Sequence, residues 1–161
     1  MNGPDGLRDK KFQSRVISTS LFSGKFFIPP LLRSKMRKEV GNWLKQANKD
    51  LEVAEKNIKI EEYYSAVFWC QQAVEKGLKA VYILKHNTLP PKIHDLVEIC
   101  RLVKAPDNIV LLSGKIVTAY IFSRYPGAAP EMPEDYYDKG KAEEHVKIAK
   151  EVLEWVIKLI K

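Results

Sequence analysis

Apolar residues recur three and four positions apart over long stretches of this 161-residue chain, and that spacing constrains its fold more than any other feature. From Arg37 onward they fall at Val40, Trp43, Leu44, Ala47, Leu51, Ala54 and Ile58, one stripe of an amphipathic helix. Glu61 and Glu62 carry charge suited to a helix N-terminus, and Tyr63, Ala66, Val67, Cys70, Ala73, Val74, Gly77, Val81 and Leu84 then repeat the pattern. Pro90 and Pro91 end that helix, because consecutive prolines remove backbone donors and push the preceding residues toward extended geometry. A shorter helix is expected from about His94 to Val103, with Asp107 and Asn108 as N-cap of the next. That next helix, Ile109 to about Phe122, is apolar on almost every face and is expected at the centre of the molecule. Arg124, Tyr125 and Pro126 close it, and Gly127, Pro130 and Pro133 hold an irregular loop before a last helix from about Lys139 to Lys161. No segment requires a strand. The spacing predicts an all-α fold, an antiparallel up-and-down helical bundle of four long helices plus one short helix.

Length allows one ordinary domain, and 45% hydrophobic with 29% charged residues is the balance of a chain that buries a core. The formal charge of +7 suggests polyanion binding until its location is read. Residues 1–35 hold seven Lys or Arg against Asp5 and Asp9, leaving residues 36–161 nearly balanced. The first 35 residues, with Gly3, Pro4, Gly6, Gly24 and Pro29–Pro30, read as a flexible basic extension, either native or read in from an upstream start. Met36 opens the domain, residues 36–161. Cys70 and Cys100 stand thirty residues apart within apolar stripes, which fits buried thiols in a reducing, cytoplasmic interior better than a disulfide or a zinc site. The longest apolar stretch, Ile109 to Phe122, is interrupted by Ser113, Gly114 and Lys115 and falls short of the roughly 20 residues of a membrane helix, so no membrane partner is expected.

Chemistry-bearing residues cluster in two places. Gln72, Glu75, Lys76 and Lys79 share one helical stripe, read here as lying opposite the core. It is either a solvated face with ion pairs of about 0.2 to 0.5 kcal/mol each, or a set of converging polar groups. Arg124 emerges where the chain leaves a helix, and its planar five-donor fork suits either loose helix carbonyls or a phosphate. The loop from Arg124 to Asp138 sets Tyr125, Tyr136 and Tyr137 beside Glu131, Glu134, Asp135 and Asp138, a mixture suited to protein contact. His94 precedes Asp95 near a helix start, while His86 and His145 stand without metal-ligand spacing, so neither metal nor cofactor is expected. No Gly-rich phosphate loop and no nucleophile elbow occur.

Trp43 and Ala47, Tyr64, the run from Cys70 to Lys76, Lys79, His94-Asp95-Leu96 and Arg124-Tyr125-Pro126 together resemble the HEPN family, the nucleotide-binding helical domains of higher eukaryotes and prokaryotes, in the minimal prokaryotic form. The resemblance spans residues 36–161 and implies an up-and-down bundle, commonly a homodimer, often encoded beside a small nucleotidyltransferase. Ribonuclease members carry an Arg and a later His with four to six residues between them. Here the corresponding positions after Arg124 are Ala129, Pro130 and Glu131, and Gly127 stands where many members have Asp. The resemblance therefore implies a dimeric nucleotide- or RNA-associated module acting with a small nucleotidyltransferase in a toxin and antitoxin-like pair, not itself catalytic. Gln72, Lys76, Lys79, His94 and Arg124 are the expected nucleotide or RNA contacts. The alternatives are a metal-independent ribonuclease toxin using Arg124, with a tyrosine or a histidine of the second subunit, and a purely structural helical adaptor. A dimer surface would draw on the apolar excess of the Ile109 to Phe122 helix and on the loop after it.

Overall fold

The computed structural model describes residues 30–161, all of whose regular elements are helices: α1 Pro30–Lys59, α2 Tyr63–His86, α3 Leu96–Leu102, α4 Asp107–Ile116, α5 Ala119–Phe122, α6 Pro133–Tyr136 and α7 Lys139–Ile160. The all-α expectation holds. The first helix begins at Pro30 rather than near Met36, so residues 30–35, expected in the flexible extension, are helical turns. The rest of that extension lies outside the described residues.

Tight reversals make the long helices antiparallel. After α1, Glu61 takes a left-handed φ of 63° and Glu62 N–H donates to Asn57 O at 2.9 Å, which satisfies a carbonyl that the helix end leaves open. The same device ends α3, with Lys104 at φ 49° and Ala105 N–H bonded to Cys100 O. Asp95 caps α3 by accepting from Val97 and Glu98 N–H, and Asp138 caps α7 by accepting from Lys141 N–H. Asp107 does not cap α4 as expected; the cap position is Pro106, and Asp107 is the first helical residue.

Two expectations about the Ile109 to Phe122 segment fail. It is not one long helix: it breaks at Val117 and Thr118 into α4 and α5. Ile116, Val117 and Thr118 are three consecutive β-branched residues, a run that lowers helix propensity. Nor is it central, since only Ile109, Ser113 and Ile116 of α4 are buried and Leu111 is 67% exposed. The central element is α2, buried from Ala66 to Ile83 along most of its length between α1, α7 and α3. Its main core sets Cys70, Val74, Leu78 and Val81 against Ile99, Ile116, Val146, Val152 and Val156. Gly77 lets α7 approach closely, because a Cβ there would stand 2.5 Å from Leu153 Cδ2. Cys70 and Cys100 are free and buried, and burial pushes the Cys70 thiol up to about 12. No helix of the described residues is long and apolar enough to cross a membrane.

Candidate functional site

Two members of the polar stripe of α2, Glu75 and Lys79, are buried in the bundle, and Gln72 and Lys76 are half-buried beside them. Glu75 and Lys79 are each 5% exposed and Gln71 is fully buried, so the expectation of a stripe opposite the core is corrected. Such burial is tolerable only when every group finds a partner. Lys79 Nζ donates to Glu75 Oε1 at 2.8 Å, Gln71 Nε2 donates to Glu75 Oε2 at 3.2 Å, and Gln72 Nε2 donates to Gln71 Oε1 at 2.7 Å. Lys76 Nζ donates to Gln72 Oε1 at 3.1 Å and to Asp50 Oδ2 at 2.6 Å; Asp50, 1% exposed, also accepts from Gln46 Nε2. Among the described residues no buried side-chain nitrogen or oxygen lacks a hydrogen bond. Burial by itself would raise the Glu75 carboxyl, but the Lys79 ammonium, aided by Gln71 and His94, outweighs it and holds the group below its ordinary value.

The network reaches the surface through His94. Its Nδ1 lies 3.1 Å from Glu75 Oε1, and its backbone carbonyl accepts from Gln71 Nε2. The imidazole stacks on Tyr120 with centroids 4.6 Å apart and planes 11° apart. Arg124 rests on the same Tyr120, its guanidinium carbon 4.0 Å from the ring centroid and 5.2 Å from those of Phe68 and Tyr125. Arg124 Nε donates to Tyr120 O at 2.7 Å, so the arginine does complement a helix end, as one reading of the sequence expected. The fork's terminal nitrogens remain in an aromatic collar. Gly127 sits at φ 80°, a conformation that favours glycine.

Beside this collar is a shallow depression of about 390 Å³ lined by His94, Asp95, Val117, Thr118, Tyr120, Ile121 and Phe122. Its walls are mostly apolar, of the kind on which a flat heterocycle stacks. A larger groove of about 810 Å³ follows the outer face of α7, where Lys147, Lys150 and Lys158 alternate with Glu143, Glu151 and Glu154; it holds none of the candidate residues. Among the described residues, no three His, Cys, Asp or Glu side chains stand together as a metal site would need.

All five sequence-derived candidates lie on one connected chain of contacts, Lys76, Gln72, the Glu75 centre with Lys79 and His94, and then Arg124 across Tyr120. They are not equally open. Lys76 and Lys79 are bound to Asp50 and Glu75, which leaves His94 and Arg124 as the groups presented outward. Sequence reasoning missed Asp50, Gln71 and Tyr120. A signal for the first existed: Asp50 sits three residues after Ala47 and four before Ala54, an acid on an apolar stripe. The loop tyrosines also divide. Tyr137 is buried against Ala66, Val67 and Ala142, with Tyr136 packed beside it, so only Tyr125 stays open for contact.

An α2-centred antiparallel bundle with a buried acid, lysine and amide network opening onto an arginine and histidine pair defines a class of small helical domain. The HEPN domain model matches residues 40–160, and the chain belongs to the HEPN family. It is 32% identical over 133 residues to MJ1304 of Methanocaldococcus jannaschii, a protein whose naming as a toxin is provisional; the match covers 74% of this chain and 86% of that one. Among solved structures, ST0689, an archaeal HEPN homologue, is 30% identical with a TM-score of 0.66, covering 76% of this chain and 98% of its own. TT1696 from Thermus thermophilus is 27% identical with a TM-score of 0.68, covering 74% and 96% respectively.

Proposed function

We propose that this chain is a dimeric HEPN module of a toxin and antitoxin-like pair, binding a nucleotide or RNA and working with a small nucleotidyltransferase, without nuclease activity of its own. The observation that carries the reading is the joint placement of Arg124 and His94 on Tyr120 at the mouth of the apolar depression. A base stacks in the depression, and the Arg124 fork takes a phosphate. The similarity to the M. jannaschii protein supports the toxin-like context. Leu111, Ile121, Tyr125 and Met132, large apolar side chains left open on α4, α5 and the following loop, support self-association.

Nuclease chemistry requires one group to move a proton and another to stabilise the phosphorane charge. Arg124 supplies the second, but no histidine follows at the family's spacing. A ribonuclease is the second reading, favoured by one observation: His94 shares the Tyr120 ring with Arg124 within a single chain. Incubation of the purified chain with cellular RNA in chelator, beside Arg124→Ala, separates the two. Intact RNA in both samples, with mononucleotide binding lost in Arg124→Ala, supports the module. Cleavage that disappears in Arg124→Ala establishes the ribonuclease, and the absence of any nucleotide or RNA binding leaves a structural adaptor.

A further inference from the structure

The near-neutral charge of the folded part conceals a concentration of cations at one end of the bundle. At one end α1 begins while α2 and α7 finish, because Met36 and Val40 pack with Ala80, Ile83 and Ile160. The end of α3 joins them, since Lys85 Nζ donates to Val103 O and the His86 ring contacts Leu102 O. This brings Arg33, Arg37, Lys38, Lys85, Arg101 and Lys104 to one pole, all exposed. None of them pairs with a carboxylate among the described residues. At the other end, Ile58, Tyr63 and Tyr64 pack with Tyr136, Tyr137 and Ala142, which gathers Glu61, Glu62, Glu134, Asp135 and Asp138 with Lys59, Lys139 and Lys141, a small acidic excess. In sequence, residues 1–29 add five further cations against Asp5 and Asp9, and they join the domain at Pro30, on the basic pole.

We propose that this basic pole is a docking surface for the phosphate backbone of RNA, separate from the Arg124 and His94 site. The inference rests on the reading of the chain as RNA-associated and adds to it where the strand is held. The concentration of cations at one end orients the encounter, since that end attracts a polyanion more strongly than the rest of the surface. Backbone rather than base recognition follows from the residue types: the pole offers cations with no exposed large aromatic among the described residues, and Tyr125 lies elsewhere. A lipid surface fits less well. Only Leu31 and Leu89, 84% and 63% exposed, stand open there among the described residues, while Leu84, Leu102 and Leu159 are more than half covered. Lys85 follows Glu75 by ten residues on α2, about 15 Å along the helix, so a strand held at the pole reaches the His94 region.

The test is anisotropy of a labelled oligouridylate titrated with the full chain across a salt series of about 50 to 200 mM. If four to six phosphates are neutralised, affinity falls with a log–log slope of about −3 to −4, at about 0.7 per contact on a single strand. The exposed double substitution Arg37→Glu with Lys104→Glu, checked for unchanged circular dichroism, is expected to weaken binding at least about tenfold and flatten the slope by one to two. Arg124→Ala, which removes the single phosphate contact of the other site, is expected to flatten the slope by no more than about 0.7. Unchanged binding by the charge-reversed variant overturns the pole, as does polyglutamate or a phosphatidylserine vesicle bound as tightly as RNA. Absence of RNA binding by the wild-type chain at any salt overturns the RNA reading itself.

Discussion

Replacing Glu75 by alanine would remove the one carboxylate on which Lys79, Gln71 and His94 converge, at 2.8, 3.2 and 3.1 Å. Lys79, only 5% exposed, would lose its one carboxylate partner inside the bundle. Breaking such a buried pair from one side costs about 3 to 5 kcal/mol, mostly the desolvation of the stranded ion. For a domain of this size about 4 °C in Tm accompanies each kcal/mol, so a fall of about 12 to 20 °C is expected by calorimetry or thermal circular dichroism. Removing both charges with Glu75→Leu and Lys79→Met leaves no stranded ion and should recover most of that loss, which gives a coupling of about 2 kcal/mol or more in the double-mutant cycle. The pH dependence carries a sign. Because the folded-state pKa of Glu75 lies below its ordinary value of 4.5, its contribution is complete above that value and is lost as pH falls through the lowered pKa. The gap between wild type and Glu75→Gln should therefore narrow only in acid. A loss under about 1 kcal/mol for Glu75→Ala, or a double variant no more stable than the single one, would refute the account of a buried, mutually dependent network.

Two glycines give opposite signs for one substitution. Gly77→Ala would place a Cβ 2.5 Å from Leu153 Cδ2 in the core and should destabilise by about 1 kcal/mol net of improved helix propensity, whereas Gly41→Ala meets nothing within 4 Å and should stabilise by about 0.5 to 1 kcal/mol, both read from urea midpoints. His145, whose pKa is lowered by burial despite its contact with Lys141 O, binds its proton more readily unfolded than folded. Stability should thus rise with pH between the lowered value and about 6.5, and His145→Gln should flatten that part of the Tm against pH curve.

How far the sequence carried the reading can be seen helix by helix. The spacing of α2 and α7 placed both within a residue or two, because each carries a long single-period stripe and α2 runs into Pro90 and Pro91; in the structure Asn87 at φ 52° closes α2 and Asp138 caps α7. The segment from Ile109 to Phe122 misled, since apolar content reports burial only on average, and Leu111 and Ile121 are left outward. The stripe of Gln72, Glu75, Lys76 and Lys79 misled in the opposite sense. Polarity ordinarily marks solvent, yet these groups satisfy one another inside, with Asp50 of α1 as a partner that α2 alone could not disclose.

By itself the sequence determined the helical class, the positions of the long helices, the thiols' seclusion and the HEPN resemblance, all of which rest on local periodicity and short motifs. Tertiary structure decided which helix is central and that Lys76 and Lys79 are neutralised internally. It decided that His94 bonds Glu75 of α2 on one side while it shares the Tyr120 ring with Arg124 on the other. It also decided that a nearly neutral domain gathers cations from α1, α2 and α3 at one end. The physical reason is the same in each case: periodicity fixes which residues share a face of one helix, whereas the partner of that face is set by chain reversals that bring remote segments together.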